Sequence, residues 1–401
     1  MIMPTAARAF RERRAPRELH LWAITIVAAS TVMVALMQFR YATSWHYFND
    51  AARSLFTPPL RGPGGGLSVY VTHPEFQFGP LAILAATPFA YLPTATGVYA
   101  AMAVASALGV VALAALASTT CRLYPSMHRR RFLVRSSVAA AFFTLVWGEI
   151  AVRTAHIDDA IALTASALSI AAISRRRPWV ATLLLALAAG VKPWAIVFAP
   201  LALVVPGKAA WARLIAVCAL VTFTWIPFVI ANPSTVTAAS GFKIHNAASS
   251  ALRALGVSEP STPTWVRPTQ IIAGCVAGAV LVRAHRWHGV VMATLAIRLI
   301  LDPAVNRYYT AGVALGVLVW EAVARPNRIP WLTVLTTIVI EATSGVIQPA
   351  PFAGLTRLVY LATLVLVAFS TPPLNALAPT TRTRRRPHCT RVPRSRLRVS
   401  R

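Results

Sequence analysis

The chain has 401 residues, of which 57% are hydrophobic and only 12% charged, and its formal net charge is +28. Several apolar runs reach the ~20 residues that cross ~30 Å of hydrocarbon. This excludes an ordinary water-soluble domain and predicts an all-α, polytopic bundle of transmembrane helices. The basic residues fall in short clusters between the apolar runs, which is typical of cytoplasmic loops that contact anionic lipid and argues against nucleic-acid binding.

The predicted elements begin with a basic cytoplasmic segment, 1–20, and a first span at 21–38 that is too long for a cleavable signal peptide. An outer loop, 39–94, follows. Its apolar stretch 79–93 is too short to cross, so we expect an outer juxtamembrane or re-entrant helix there. Further spans are predicted at 95–120, 133–150, 157–174, 179–191, 194–206, 211–231, 269–286, 288–301, 305–324, 330–347 and 354–372.

This pattern gives about twelve spans (roughly 10–13), with both termini in the cytoplasm of a plasma-membrane protein. Residues 179–206 could form one long tilted helix, but we divide them at Lys192-Pro193 because proline disrupts a helix and both flanks are basic. A second outer loop occupies 232–268. The tail 373–401 is rich in Pro and Arg and is expected to be a disordered cytoplasmic segment.

The four cysteines are scattered and form no C-x-x-C pair, so neither a disulfide framework nor a zinc site is predicted. They are Cys121, Cys218, Cys275 and Cys389.

Carboxylates are scarce and unevenly distributed. Of the eleven, Glu12, Glu18 and Glu321 map to the inner side. The others map to outer loops or spans, most of them near outer ends, where ionisable groups are costly and suggest function. These are Asp50, Glu75, Glu149, Asp158, Asp159, Glu259, Asp302 and Glu341.

Two motifs lie in the first outer loop. In WHYFNDAARSLF (45–56), Asn49 or Asp50 could cap a short helix that begins at AARSL, or Asp50 could be a general base held at the outer surface. In VYVTHPEFQFGPL (69–81), His73 and Glu75 flank a proline and are followed by two aromatic residues. This clustering suits a pocket for a polar headgroup, or a plain interfacial loop.

A third motif, AHIDDAIAL, opens the 157–174 span. His156, Asp158 and Asp159 fall within one helical turn. The two adjacent carboxylates could bind sugar hydroxyls or a divalent cation, or could stabilise the positive N-terminus of the helix.

The fourth and fifth motifs lie farther along the chain. In GVKPWAIVFAPL, Lys192 next to Pro193 and Trp194 is expensive in an apolar stretch unless it is paired, snorkels or binds an anion such as a lipid phosphate. In LDPAVNRYYTAG, Asp302 and Arg307 could pair across a turn. Alternatively they could contact sugar or phosphate together with the following Tyr308 and Tyr309.

These five motifs, in this order, resemble the membrane-embedded C-type (GT-C) glycosyltransferases, in particular the actinobacterial mannosyltransferases that use polyprenyl-phosphate mannose. Tyr47–Leu55 (YFNDAARSL) is similar to the family's Y-x-x-(A/G)-A-x-x-L-like stretch. The 73–93 segment is similar to its Pro-rich outer segment, and Lys192-Pro193 to its Lys-Pro pair, while Ala155–Asp158 matches a G-Q-x-(N/D)-like opening only in part. The resemblance covers about residues 20–325 and implies that 21–372 is one transmembrane domain.

The resemblance implies inverting transfer of a sugar, mannose or alternatively arabinofuranose, from a polyprenyl-phosphate donor to an envelope glycolipid or glycan on the outer face. The family's acid usually precedes the tyrosine, at about Thr43 or Ser44 here, so Asp50, or else Glu75, is the expected base. Lys192 and Arg307 would bind the donor phosphate. No cofactor is predicted, and the sequence does not decide whether a divalent cation takes part. The sugar and acceptor would contact His73, Glu75, His156, Asp158, Asp159, Trp194, Asp302, Tyr308 and Tyr309.

Two other classes stay open on the sequence alone. A transporter or lipid flippase would also contain broken spans and charges at membrane depth. A non-catalytic protein of envelope assembly would account for the displaced acid.

Overall fold

The structure is a computed structural model that describes residues 42–56, 65–325 and 329–374. Within these ranges the regular secondary structure is helical, apart from one isolated antiparallel bridge between His245 and Ser261. The all-helical class predicted from the sequence is therefore confirmed for the described part. The predicted N-terminal segment, the first span 21–38 and nearly all of the tail lie outside the described residues.

The principal α-helices are α1 (Trp45–Phe56), α2 (Pro80–Ala90), α3 (Thr94–Leu123), α4 (Arg129–Gly148), α5 (Ile157–Ser174), α6 (Pro178–Val191), α7 (Ala210–Ala231), α8 (Val266–Arg283), α9 (Val290–Ile300), α10 (Tyr309–Ala324), α11 (Trp331–Gly345) and α12 (Ala350–Ser370). A 3-10 helix follows α6 at Pro193–Leu203, and a π-helical turn, Glu149–Thr154, extends α4. Shorter helical turns are Gly66–Ser68, Val69–Thr72, Thr235–Gly241, Ala251–Ala254 and Trp287–Gly289.

Six segments in the described ranges are long and apolar enough to cross a membrane: Thr94–Leu123, Arg130–Thr154, Ile157–Ser174, Ala210–Ala231, Val266–Arg283 and Ala350–Ser370. The other predicted spans in these ranges correspond to apolar helices of 10–17 residues. The predicted stretch 79–93 contains α2, which packs against α1 and α6.

The helices differ sharply in how much of their surface other helices cover. α5 lies at the centre of the bundle. Of its 18 residues, 89% are buried, and the helix packs against α3 and α6. α7 is peripheral and leaves Trp211, Phe223 and Ile230 exposed at 67%, 70% and 78%. Such a broad apolar surface is unusual in a soluble monomer and suits contact with lipid.

Most successive helices are joined by short connections, so the helix ends lie at two opposite ends of the bundle. We call the end at which α5 begins the upper end. There the backbone N–H of Ser44 donates to the carbonyl of Thr154 at 3.1 Å. At the lower end Arg122 Nε donates to the carbonyl of Ser174 at 3.1 Å. The five sequence motifs all lie on segments that meet at the upper end.

The helix boundary predicted at Lys192-Pro193 is present. α6 ends at Val191, Lys192 is extended (φ −133, ψ 104), and the 3-10 helix begins at Pro193. A residue before proline avoids the helical region because the proline ring crowds its backbone. α6 and the 3-10 helix pack against each other, so the chain turns back as a hairpin with Lys192 at its tip.

Two glycines bring the start of α2 against this tip. The Gly79 N–H donates to the Val191 carbonyl at 2.7 Å. A Cβ at position 79 would lie only 2.1 Å from the carbonyl oxygen of Gly190. Only glycine permits such close backbone approach. This contact holds the second motif against the fourth.

Candidate functional site

A buried polar cluster lies at the upper end, formed by His156, Asp158, Asp159 and Lys192. Lys192 Nζ donates to Asp158 Oδ2 in a short contact and lies 3.4 Å from Asp159 Oδ2. His156 Nδ1 lies 3.3 Å from Asp158 Oδ1 and 3.6 Å from Asp159 Oδ2. The structure thus joins the third and fourth motifs through charged side chains. The sequence leaves the partner of Lys192 open, and the structure pairs its ammonium with the carboxylates of Asp158 and Asp159.

Local backbone geometry presents these side chains. After the π-helical turn, Ala155 adopts a left-handed conformation (φ 51), and the His156 N–H donates to the Ile150 carbonyl at 2.9 Å. α5 then starts at once, so Asp158 and Asp159 lie in its first turn. Asp158 Oδ1 accepts from the Asp159 N–H at 2.7 Å. The carboxylates therefore also stabilise the helix N-terminus, as one of the sequence alternatives states.

The cluster has more negative than positive charge while His156 is neutral. Asp159 Oδ2 is buried and receives no hydrogen bond within the described ranges, so it retains acceptor capacity. Ligating atoms of His156, Asp158 and Asp159 lie within 4.8 Å of one another. A divalent cation there would have to displace the Lys192 ammonium, whereas a hydroxyl group need only donate to the spare oxygen. The donor set therefore fits a hydroxyl better than a metal.

A continuous series of aromatic contacts connects the second motif to the cluster. His73 stacks on Phe76, with ring centroids 4.9 Å apart, and Phe76 stacks on Phe78 at 5.5 Å. Phe78 stacks on Phe48 of α1 at 4.6 Å, and Phe48 meets the His156 ring edge-to-face at 5.8 Å. The first three motifs are therefore packed into one structure.

The same series continues into the fifth motif. The His156 ring stacks on Tyr308 with centroids 4.0 Å apart and an interplanar angle of 26°. Tyr308 meets Tyr309 edge-to-face at 4.6 Å. The Arg298 guanidinium lies 4.6 Å from the Tyr309 ring centroid and 4.8 Å from that of Trp194. Arg298 thus ties the fifth motif to the fourth.

A narrow void separates these groups, with room for about one water molecule. Three polar atoms on its lining residues have no hydrogen-bond partner within the described ranges: Asp159 Oδ2, Trp194 Nε1 and Arg298 Nε. The residues around this small space thus offer one acceptor and two donors, which is enough to hold one hydroxyl or water.

Asp302 pairs with a different residue from the one the sequence suggested. Its Oδ2 lies 3.4 Å from Arg298 Nη2, one helical turn earlier, and its Oδ1 accepts from the Ala304 N–H at 2.9 Å. The Asp302–Arg307 pair is therefore wrong. Arg307 instead packs against Gly345 of α11, where an added Cβ would lie 2.6 Å from its Nη2.

The first two motifs place their carboxylates nearer solvent. Asp50 is exposed on α1, accepts from Asn49 Nδ2 at 3.2 Å, and lies two residues from Phe48, which makes the contact with His156. The suggested capping role is wrong because α1 starts at Trp45 and holds Asp50 in its interior. Glu75 Oε1 pairs with His73 Nδ1 at 3.0 Å, with both side chains about one-third exposed.

Sequence reasoning missed Arg298 and the contact made by Phe48. Arg298 lies in an otherwise apolar segment and therefore does not stand out in the sequence. Its position four residues before Asp302 is nevertheless the spacing of an i,i+4 ion pair on a helix. Nothing in the sequence distinguishes Phe48 from its aromatic neighbours, and only the fold shows that it is buried against Phe78 and His156.

Comparisons with known proteins add no relative: no protein-family model, curated protein or solved structure matches this chain. The site must therefore be interpreted from its own geometry.

Proposed function

We propose that this protein is an integral-membrane glycosyltransferase that moves a sugar, in the first instance mannose, from a polyprenyl-phosphate donor to a hydroxyl of an envelope glycolipid or glycan. One observation carries the proposal. Five separate motifs, each with ionisable or aromatic residues, converge at the upper end around a buried cluster that has spare capacity for a hydroxyl.

The proposed orientation places the upper end on the outer face of the plasma membrane. Basic clusters such as Arg175–Arg177 belong to the lower end, and the positive-inside rule assigns that end to the cytoplasm. The sequence-predicted count of about twelve spans belongs to this proposal. Nucleotide sugars are cytosolic, so a lipid-linked donor suits the outer face.

In the proposed reaction the acceptor oxygen attacks the anomeric carbon as the bond from that carbon to the phosphate oxygen breaks. The bonding electron pair leaves with polyprenyl phosphate, and the acceptor proton passes to a base. Attack from the face opposite the leaving group inverts the anomeric configuration. Asp159 and Trp194, which line the void, would hold a sugar hydroxyl through the unpartnered Asp159 Oδ2 and Trp194 Nε1–H.

Two groups are candidates for the base. Asp50 is exposed and can reach an acceptor that approaches from water. His156 is oriented through Nδ1 by Asp158, and its Nε2 makes no hydrogen bond within the described part of the chain. A carboxylate that orients an imidazole in this way is a recurrent arrangement for general-base catalysis.

The direct test supplies radiolabelled polyprenyl-phosphate mannose, or its arabinose counterpart, to the purified protein in liposomes with a glycolipid extract as acceptor. Asp50→Asn and His156→Gln are compared with the parent chain, and a base contributes typically 10²–10⁴ in rate. The variant that loses this factor identifies the base. If the parent chain transfers neither sugar and releases no polyprenyl phosphate, the proposal is refuted. Mass spectrometry of envelope glycolipids from a deletion strain would name the missing sugar.

The transporter class has one observation in its favour. The hairpin tip at Lys192 carries a buried charge where two helices are interrupted, as in many transporters. Flux of a lipid or sugar across proteoliposomes without any glycosyl product would favour that class.

A further inference from the structure

The lower end carries a turn of three consecutive arginines, Arg175–Arg177, between α5 and α6. The N–H of Arg176 donates to the Ile173 carbonyl, and the N–H of Arg177 donates to the Ala172 carbonyl, both at 2.9 Å. This pair of bonds is a Schellman turn, which ends α5 and fixes the backbone of the three arginines. The fold therefore holds these residues in one place at the end of the bundle.

Arg176 occupies the position of this turn at which glycine is usual. Its φ is 54°, in the left-handed region that an L side chain adopts only at an energetic cost. Glycine would form the same turn without that cost. An arginine at this position therefore indicates that its side chain has a use beyond the turn itself.

A fourth arginine reaches the same turn from another helix. Arg122, at the end of α3, donates through Nε to the Ser174 carbonyl at 3.1 Å. Arg175 donates through Nη1 to the Ala171 carbonyl at 3.1 Å and, in a short contact, through Nη2 to Ser118 Oγ of α3. These bonds fasten the ends of α3 and α5 together and place two guanidinium groups at their junction.

Negative charge does not balance this group. Within the described ranges no carboxylate forms an ion pair with Arg122, Arg175 or Arg177. Glu321, a carboxylate at the same end, accepts two N–H groups at the start of α11 instead. Burial lowers the pKa of the Arg175 guanidinium, and the neighbouring charges of Arg122 and Arg177 lower it further. The arginines therefore repel one another, and an anion bound among them would relieve that repulsion.

An exposed apolar stripe begins directly after the arginines. Trp179, Leu183 and Leu187 follow one another at helical spacing along α6 and are 51%, 60% and 38% exposed. A tryptophan at the end of a membrane helix typically lies at the depth of the lipid headgroups. Trp179 is in the first turn of α6, so the arginines lie at headgroup depth and the stripe extends from them toward the membrane interior.

We propose that the junction of Arg122 with Arg175–Arg177, together with the stripe on α6, binds an anionic glycerophospholipid such as phosphatidylglycerol. Guanidinium groups match the geometry of a phosphate through paired N–H donors. The exposed Arg122 and Arg177 would contact the lipid phosphate, and an acyl chain would lie along the stripe. The proposed orientation places this lipid in the inner leaflet. The inference concerns lipid binding and does not depend on sugar transfer.

General attraction between basic loops and an anionic membrane makes a different prediction. Under such attraction every exposed basic residue at the lower end contributes alike. A site, in contrast, makes the contribution depend on position. Arg283 and Lys208 provide matched controls, because both are exposed at the lower end but belong to other connections.

Native mass spectrometry of the purified chain, released from detergent micelles and titrated with phosphatidylglycerol, measures the affinity of the first bound lipid. Phosphatidylcholine serves as the blank without net charge, and glycerol phosphate serves as a competitor without acyl chains. Arg122→Gln and Arg177→Gln should each weaken phosphatidylglycerol binding about tenfold. Arg283→Gln and Lys208→Gln should each change it by less than about twofold.

Arg122→Lys separates geometry from charge. It keeps the net charge but should still weaken binding about threefold or more, because an ammonium lacks the paired in-plane donors. Unfolding by SDS of each variant shows whether a loss of binding reflects a loss of folding. Equal losses in all four glutamine variants would reduce the effect to general attraction and overturn the inference. Displacement of the lipid by millimolar glycerol phosphate would show a site for soluble phosphate and overturn it as well.

Discussion

Replacing Lys192 by Met tests whether the buried ion pair organises the upper end. The Asp158 side chain is fully buried and that of Lys192 is 10% exposed, so the pair has almost no solvent to replace a lost partner. Removing one member of such a pair costs about 3–5 kcal/mol, because the remaining charge stays buried. At about 1.4 kcal/mol per tenfold change, Lys192→Met should lower the folded-to-unfolded ratio by roughly 100-fold or more. Unfolding by SDS in mixed micelles measures this free energy.

A double-mutant cycle supplies the control. Asp158→Asn alone removes one carboxylate but leaves Asp159 3.4 Å from the ammonium, so its cost should be smaller, about 1–3 kcal/mol. Lys192→Met combined with Asp158→Asn should lose less than the sum of the two single changes, because the two residues interact directly. A loss below about 1 kcal/mol for Lys192→Met, or additive losses in the double variant, would mean that Lys192 is not paired and would refute the reasoning.

Three further predictions address other parts of the molecule. Gly79→Ala should cost about 1–3 kcal/mol by forcing a Cβ into the Gly190 carbonyl, whereas Gly241→Ala, which meets open space, should be neutral when measured by the same unfolding assay. Tyr308→Phe should preserve stability and donor binding because the ring stack on His156 remains, whereas Tyr308→Ala should lose about 0.5–1.5 kcal/mol beyond its burial. Glu321→Gln should lose about 1–3 kcal/mol, because its carboxylate accepts the Leu332 and Thr333 N–H groups that begin α11. This variant should leave sugar transfer in the liposome assay unchanged, since Glu321 lies at the lower end.

The sequence predicted most helix positions because apolar runs and proline are strong local signals. α5 coincides with the predicted span 157–174, and the break at Lys192-Pro193 follows from the backbone restriction before proline. The sequence alone also identifies the five motifs that the fold brings together at the upper end. Each contains a charge or a ring that the surrounding apolar sequence makes conspicuous.

Partners between distant segments could not be predicted in the same way. The sequence predicts that Lys192 is paired, snorkels or binds an anion, but it cannot show that two carboxylates 33 and 34 positions earlier contact the ammonium. The sequence offers Arg307 as one possible partner of Asp302 because both lie in one loop, whereas the structure pairs Asp302 with its helical neighbour Arg298. The sequence favours phosphate binding at Lys192 because it shows the lysine without a partner. The structure weakens this expectation because Asp158 and Asp159 already contact the ammonium.

The upper end therefore contains two buried ion pairs that stacked rings connect. Lys192 pairs with Asp158 and Asp159, and Arg298 pairs with Asp302. Tyr308, Tyr309 and Arg298 link the two pairs, and Arg298 lines the same void as Asp159. A hydroxyl bound at this void would therefore contact residues of both pairs.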